Sequence, residues 1–260
     1  MGMTTTSIQY SFLAACICYA CAFGFNILRH ERMTMIIFSL GLLFNLLSIC
    51  LRYWFSFPML PLYQGTYFIP FFLGGIIFKE ILENFDQRTI FILFISILAF
   101  AALLFPNDFY LPFIQFKTPL AHVFFIFGVI AKACFLSAGG LALGYMIKKQ
   151  GEPFSNHANQ SIRRMIIWGF ACLSVSIFSG AIWSYLGWGT PVVWDDPIIT
   201  TTMGTWLYYG LFLHLHLFKF KPAKNKLLFA LIGSVWVFWF NCVPDMGKFV
   251  LPSIFRFTTG

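Results

Sequence analysis

Long apolar runs recur along the whole chain, and they constrain its fold more than any other feature. Runs of roughly 18 or more apolar residues are typical of transmembrane helices. The third run is interrupted by Pro70 and Gly74-Gly75, and the fifth is long enough to project beyond a bilayer. The pattern predicts an all-α, polytopic integral membrane bundle that forms a single domain over residues 1–260. We expect about eight transmembrane helices, at approximately 8–28, 34–52, 62–82, 89–106, 119–147, 164–185, 198–218 and 226–243.

The composition excludes a soluble protein. Of the 260 residues, 59% are hydrophobic and only 10% are charged, and the mean hydropathy is +0.80. A soluble domain exposes far more charge than this. The seven Cys form no CxxC pair, so the sequence indicates neither a zinc site nor a disulfide framework. The N-terminus has no basic region before its first apolar run, so we expect no cleaved signal peptide.

The basic residues are distributed unevenly between the predicted loops. Twelve of the 17 Lys and Arg fall in the loops after spans one, three, five and seven, which share one side of the membrane. The positive-inside rule places these loops in the cytoplasm, so both termini and the loop after span six are expected outside. The net charge of +8 therefore reports membrane topology rather than affinity for nucleic acid. The opposite side holds only Arg52, Lys117, Lys248 and Arg256.

The loop between spans six and seven, residues 183–199, is unusually rich in tryptophan. It contains Trp183, Trp188 and Trp194, followed by Asp195 and Asp196. Tryptophan is enriched at bilayer interfaces, so an aromatic belt is one explanation. A belt does not need two carboxylates, and flat indole rings beside carboxylates suit a large planar ligand. Haem is the candidate that this combination suggests.

Three histidines and one lysine fall within or at the ends of predicted spans. His122 opens span five on the outer side, where a neutral imidazole could ligate haem iron. His214 and His216 lie near the cytoplasmic end of span seven, about 25–30 Å from Asp196 along a helix, so two separate sites are implied. Lys132 lies near mid-membrane, where snorkelling, pairing with a polar group and a ligand pathway are the alternatives. No acidic partner for it is apparent in the sequence.

The loop resembles the tryptophan-rich WWD signature of the cytochrome c assembly proteins, the CcsA/ResC and CcmC-like haem-handling family. The resemblance runs from Trp188 to Pro197 and continues in the spacing from Trp206 to His214. It extends over about residues 60–245 in order and spacing. Three further segments agree: Leu62-Tyr63-Gln64-Gly65 with the LYES motif, Pro112-Phe113-Ile114-Gln115 and Leu120-Ala121-His122-Val123 with the PxLQS…HV stretch, and Ser179-Gly180-Ala181-Ile182-Trp183 with SGAxW.

The resemblance implies a haem-binding subunit of a cytochrome c biogenesis system, in which the loop presents haem b on the outer face of the bacterial cytoplasmic membrane. The acceptor would be apocytochrome c, the expected membrane partner a ResB/CcsB-type protein, and the chain a possible part of a haem lyase complex. No nucleic-acid partner is expected. Carried over by position, the haem-binding residues are His122 and His214, which ligate iron, and Trp188, Gly189, Trp194 and Asp195 in the loop.

Departures from the family pattern leave an alternative open. Val192 replaces a family tryptophan, Ile199 replaces a glutamate, and the second outer histidine expected near residues 241–249 is absent. Met246 is a candidate ligand in its place, because His/Met ligation of haem iron is known chemistry. The alternative is a haem-transport or scaffolding subunit without ligation activity. An unrelated permease with an aromatic vestibule would show internal repeats, and none is evident.

Overall fold

The chain is helical throughout the ranges that the computed structural model describes, which are residues 2–56, 64–107, 119–148, 156–192, 194–215 and 223–250. The helices are α1 (Gly2–Ile27), α2 (Glu31–Ser56), α3 (Gly65–Ile76), α4 (Phe78–Glu83), α5 (Phe85–Leu104), α6 (Pro119–Lys148), α7 (Asn156–Trp188), α8 (Pro197–His214) and α9 (Ala223–Val237). A π-helical turn, Phe238–Cys242, and a 3-10 turn, Val243–Asp245, extend α9.

Each predicted span contains a helix, which confirms the all-α membrane bundle. Among the described residues, six segments are long and apolar enough to cross a membrane, and they correspond to α1, α2, α5, α6, α7 and the α9 segment through Asp245. The two remaining spans are shorter. With 12 residues, α3 covers about 18 Å, which is less than the roughly 30 Å of a bilayer core. With 18 residues, α8 covers about 27 Å and begins with three threonines in its first turns.

The third span breaks just after one of the two interruptions in its sequence, the pair Gly74-Gly75, and not at the other, Pro70. The helix α3 continues through Pro70 and ends at Ile76, and Ile77 separates it from α4. Proline is compatible with helical φ, and burial of Pro70 holds the helix together despite the missing N–H. Arg88 then stabilises the end of α4, because its Nε donates to the Ile81 carbonyl at 2.8 Å and its Nη2 to the Leu82 carbonyl at 3.2 Å.

The central helix is α6, which packs along α7 and also contacts α3, α5 and α9. Its alignment with α7 is antiparallel, since Ser176 Oγ donates to the Phe124 carbonyl at 2.7 Å while Gly169 lies against Phe135. Glycine lets membrane helices approach closely where a Cβ would collide. Phe135 also stacks on Tyr209 of α8, with ring centroids 3.6 Å apart. The start of α6 therefore lies at the same end of the bundle as the end of α7.

The chain folds back after the last helix. The backbone N–H of Gly247 donates to the Phe105 carbonyl at 3.1 Å, and that of Val250 donates to the Leu104 carbonyl at 2.9 Å. Gly247 has no room for a side chain, because a Cβ there would collide with the Pro106 backbone carbonyl. The segment after Asp245 is thereby held against the end of α5.

Candidate ligand-binding site

The tryptophan-rich loop begins with a glycine turn at the end of α7. Gly189 has φ 73°, a left-handed conformation that glycine adopts without strain and that ends helices. Its N–H donates to the Tyr185 carbonyl at 2.9 Å. Ser184 Oγ then donates to the Thr190 carbonyl at 2.8 Å, so the loop turns back along the last turn of α7. The predicted site residue Gly189 thus has a conformational role in shaping the loop.

Of the three tryptophans, Trp183 is buried and anchors the loop, while Trp188 and Trp194 are exposed. Trp183 is buried and stacks on Phe124 of α6, with ring centroids 6.1 Å apart. Trp188 meets Trp183 edge to face at 5.3 Å and keeps 48% of its surface exposed, while Trp194 is 68% exposed. Exposed indoles supply flat apolar surface with one polar edge. The arrangement can hold a planar ligand at the end of the bundle where α6 begins.

The two carboxylates of the loop have different environments. Asp196 is the N-cap of α8, where its Oδ1 accepts a hydrogen bond from the Ile198 N–H at 2.8 Å, and Pro197 occupies the first turn. Such capping satisfies a helix donor that otherwise has no partner. Asp195 is exposed beside Trp194. Only Asp195 is therefore placed to meet a ligand.

His122 lies in the first turn of α6, half-buried against the end of α2. Its ring centroid is 5.8 Å from that of Tyr53. Phe124, which holds Trp183, is two residues further and so lies about 200° around the helix axis. His122 and the indoles therefore share one end of α6 but leave it on different faces. A ligand that contacts both has to extend across the helix end.

A buried polar cluster that the sequence analysis missed lies beside His122. The sequence placed Arg52 only among the basic residues of the outer side, but in the structure it is 2% exposed. Its Nη1 donates to Gln64 Oε1 at 3.0 Å, and its guanidinium lies 3.6 Å from the centre of the Tyr67 ring. An arginine inside an apolar run was the signal available in the sequence, because such residues are costly in a membrane and rarely without function.

The lysine within α6 has an acidic partner. Lys132 Nζ is 2.7 Å from Asp245 Oδ2 and also donates to the Asn241 carbonyl at 2.6 Å. Asn241 Nδ2 in turn donates to Thr205 Oγ1 at 2.9 Å, which links the pair to α8. A Cβ on Gly65 would lie 3.4 Å from the same Asp245 oxygen, so the start of α3 is adjacent. Of the alternatives left open for Lys132, pairing is the one observed.

A comparison with known proteins identifies the family of the chain. The family described as Cytochrome C assembly protein matches residues 40–241, which is most of the chain. The chain belongs to the cytochrome c assembly protein family.

Relatives named Cytochrome c biogenesis protein CcsA match parts of this family member. The chain is 30% identical to the Chlamydomonas reinhardtii protein over 137 residues, 50% of this chain and 38% of that one. It is 37% identical to the Thermosynechococcus vestitus protein over 87 residues, which cover 33% of this chain and 27% of the relative. The chain thus spans well under half the length of these relatives. No solved structure matches it.

The remaining predicted residues of this assembly protein lie away from the loop. His214 is exposed at the last residue of α8, and its Nδ1 donates to the Gly210 carbonyl at 2.8 Å. In a neutral ring this places the lone pair on Nε2. Met246 is half-buried directly after Asp245. Predicted positions outside the described residues are Leu62, Tyr63, Pro112-Phe113-Ile114-Gln115 and His216.

No group of three or more His, Cys, Asp or Glu side chains that could hold a metal ion occurs in the described part of the chain.

Proposed function

We propose that this chain binds haem and presents it to apocytochrome c during cytochrome c biogenesis. The observation that carries the proposal is the loop itself. Trp188 and Trp194 are displayed on a turn that Trp183 anchors to Phe124, two residues from His122. Family membership and the name shared by the relatives support the same role.

We infer that the loop faces outward from a bacterial cytoplasmic membrane, with both termini on the same side. Contacts at the other end of the bundle support this orientation. Arg88 Nη1 is 3.1 Å from Glu31 Oε1, which joins the α1–α2 turn to the start of α5. Gln87 lies against Gly144 near the end of α6. The basic residues of these turns therefore lie at the end opposite to the tryptophans, as the positive-inside rule requires of a cytoplasmic face.

The proposed roles follow from chemistry and position. His122 supplies an imidazole for the iron of haem b, and Trp188, Trp194 and Asp195 supply exposed surface at the same end of α6, across the helix from His122. The polar atoms nearby fit a ligand that carries charge as well as apolar area. The hydroxyl of Tyr53, whose ring lies 5.8 Å from that of His122, has no hydrogen-bond partner among the described residues. The protein would contribute orientation and electrostatics, while haem itself supplies the redox chemistry.

Met246 is less well placed than His122 for the same iron. Asp245 lies at the level of Lys132, ten residues further along α6 than His122. This corresponds to about 15 Å along the helix axis. Met246 directly follows Asp245, so it would have to reach back toward His122 to hold the same haem. We therefore propose that a partner of the ResB/CcsB type completes the outer site, or that His122 is the only protein ligand there.

An absorption spectrum of the purified protein tests the proposal. The wild type should show a Soret band, and His122→Ala should lose or shift it. His30→Ala is the matched control, because His30 lies in the turn after α1 at the opposite end of the bundle. A protein that carries no haem, or whose spectrum is unchanged in His122→Ala, contradicts the proposed role of this residue.

A transport or scaffolding subunit without ligation activity is the second candidate. It is favoured by the absence of any histidine after His216 in the sequence. The position expected for a second outer ligand instead carries Asp245, which is engaged by Lys132. Complementation of a strain that lacks its own CcsA-type protein separates the two functions. Haem binding without restored cytochrome c maturation would identify the transport or scaffolding role.

A further inference from the structure

Two buried polar groups at the start of α3 have no hydrogen-bond partner within the described part of the chain. They are Gln64 Nε2 and Thr66 Oγ1. Gln64 is fully buried, and Thr66 is 4% exposed. An amide or hydroxyl that leaves water without a compensating hydrogen bond is costly, so buried polar groups normally have partners. Two such donors on one turn indicate a site that a ligand completes.

Arg52 brings a positive charge to the same place. The side chain of Gln64 has a fixed position, because its Oε1 accepts from Arg52 Nη1 at 3.0 Å. Its Nε2 therefore lies next to the guanidinium. The ring of Tyr67 lies 3.6 Å from the guanidinium carbon and holds it in place from one side. A guanidinium carries five N–H donors in a planar fork, which suits it to an anionic ligand.

The cluster adjoins His122 through two aromatic rings. Tyr53 follows Arg52 in α2, and its ring centroid is 5.8 Å from that of His122. The same ring is 5.9 Å from Phe68, which is two residues after Thr66 in α3. Phe68 in turn packs on Phe125 of α6 at 5.1 Å. The end of α2 and the beginnings of α3 and α6 thus lie around one region beside the imidazole.

We propose that Arg52, Gln64 and Thr66 form a carboxylate-binding subsite beside His122, and that it takes a carboxylate side chain of haem. The inference rests on the proposed haem binding and adds the residues that orient the ligand. A guanidinium, an amide N–H and a hydroxyl all donate to a carboxylate, and arginine is suited to this by its planar fork of donors. The carboxylate edge of the macrocycle then points toward α3 while its iron meets His122.

A lipid phosphate would satisfy the same donors. The subsite lies in a membrane protein, so an anionic phospholipid is available to it. Haem can be distinguished from a lipid phosphate because its carboxylates can be esterified. Esterification removes their charge and leaves the iron and the ring unchanged. Titration with haem and with haem dimethyl ester therefore distinguishes the two sources.

The experiment is a spectrophotometric titration of the full chain in detergent with haem and with its dimethyl ester. The wild type should bind haem about tenfold or more tightly than the ester, because losing one hydrogen bond to a charged group weakens binding by about that factor. Thr66→Val and Arg52→Gln should reduce this preference, and Arg52→Lys should retain part of it. Thr34→Val is the matched control, because Thr34 is equally buried but already donates to the His30 carbonyl.

Each outcome has a distinct meaning. Equal binding of haem and ester by the wild type, with a Soret band that still depends on His122, overturns the subsite but leaves the proposed function intact. Binding of neither compound overturns the proposed function. Loss of co-purified anionic phospholipid in Arg52→Gln, together with an unchanged preference for haem over ester, assigns the site to lipid phosphate and also overturns the proposal. Thr66→Val removes one hydroxyl with little change in shape, so its result stands even if Arg52→Gln fails to fold.

Discussion

Lys132 and Asp245 form an ion pair of 2.7 Å between residues 113 positions apart in the sequence. The side chains are only 23% and 9% exposed. The pair joins the middle of α6 to the end of the last helical segment. A single buried charge in such a place would be expensive, and the pair makes both tolerable.

Removing one partner of this pair should destabilise the protein strongly. Asp245→Asn leaves the Lys132 ammonium without a counter-charge, and breaking a buried pair costs about 3–5 kcal/mol. The double variant Lys132→Met/Asp245→Leu should recover much of this loss, because no lone charge remains. Thermal unfolding in detergent measures the differences.

The exposed pair of Lys79 and Glu83 is the control for that series. Its atoms are 3.8 Å apart, and the side chains are 83% and 57% exposed. Glu83→Gln should cost only about 0.3–0.5 kcal/mol, as is usual for exposed pairs on one helix. If breaking either pair lowered the free energy of unfolding by the same amount, the structural role assigned to Asp245 would be contradicted.

Gly180→Ala should displace the Phe124 ring, which anchors the tryptophan loop. A Cβ at Gly180 would lie 2.6 Å from the Phe124 ring, and Phe124 is the residue on which Trp183 stacks. The ring must move, so the anchor of the loop shifts with it. We expect a changed tryptophan emission spectrum and weaker haem binding.

Gly187→Ala provides the comparison on the same helix. A Cβ at this position meets nothing within 4 Å. Alanine favours helix over glycine by about 0.8–1.0 kcal/mol, so this variant should keep or raise stability. If both glycine variants behave alike, the contact between Gly180 and Phe124 does not position the loop.

Substitution of the two loop aspartates should separate stability from binding. Asp196→Ala removes the N-cap of α8 and should cost about 1 kcal/mol of stability. Asp195→Ala changes an exposed side chain and should leave the unfolding temperature nearly unchanged while weakening haem binding. Unfolding curves and haem titrations of the two variants test this. The reverse assignment of effects would show that Asp196 is the ligand-facing carboxylate.

His122→Ala and His214→Ala should affect separate haem sites. Tyr209 stacks on Phe135, which lies 13 residues and about 20 Å along α6 from His122. His214 is further still toward the opposite end of the bundle. Each single variant should lose a different part of the haem spectrum, and the losses should add in the double variant. A single variant that removes all of the signal contradicts two independent sites.

Much of the fold and part of the site follow from local patterns in the sequence. Hydropathy alone places a helix in every predicted span, because a helix satisfies its own backbone in lipid whatever surrounds it. The cap at Asp196 and the turn at Gly189 are likewise local, since each depends on neighbouring backbone groups. The break at Ile77 follows the local pair Gly74-Gly75, whereas the continuation of α3 through the buried Pro70 is not local.

The sequence by itself determined the helical membrane architecture, the uneven charge of the two sides and the tryptophan loop, all of which arise from residues near one another in the chain. Only the tertiary structure decided which distant residues meet. It paired Lys132 with Asp245, joined Arg52 to Gln64, and placed Tyr53, the residue after Arg52, against His122. The physical reason is that a buried charge or donor needs a partner, while the choice of partner depends on how the helices pack.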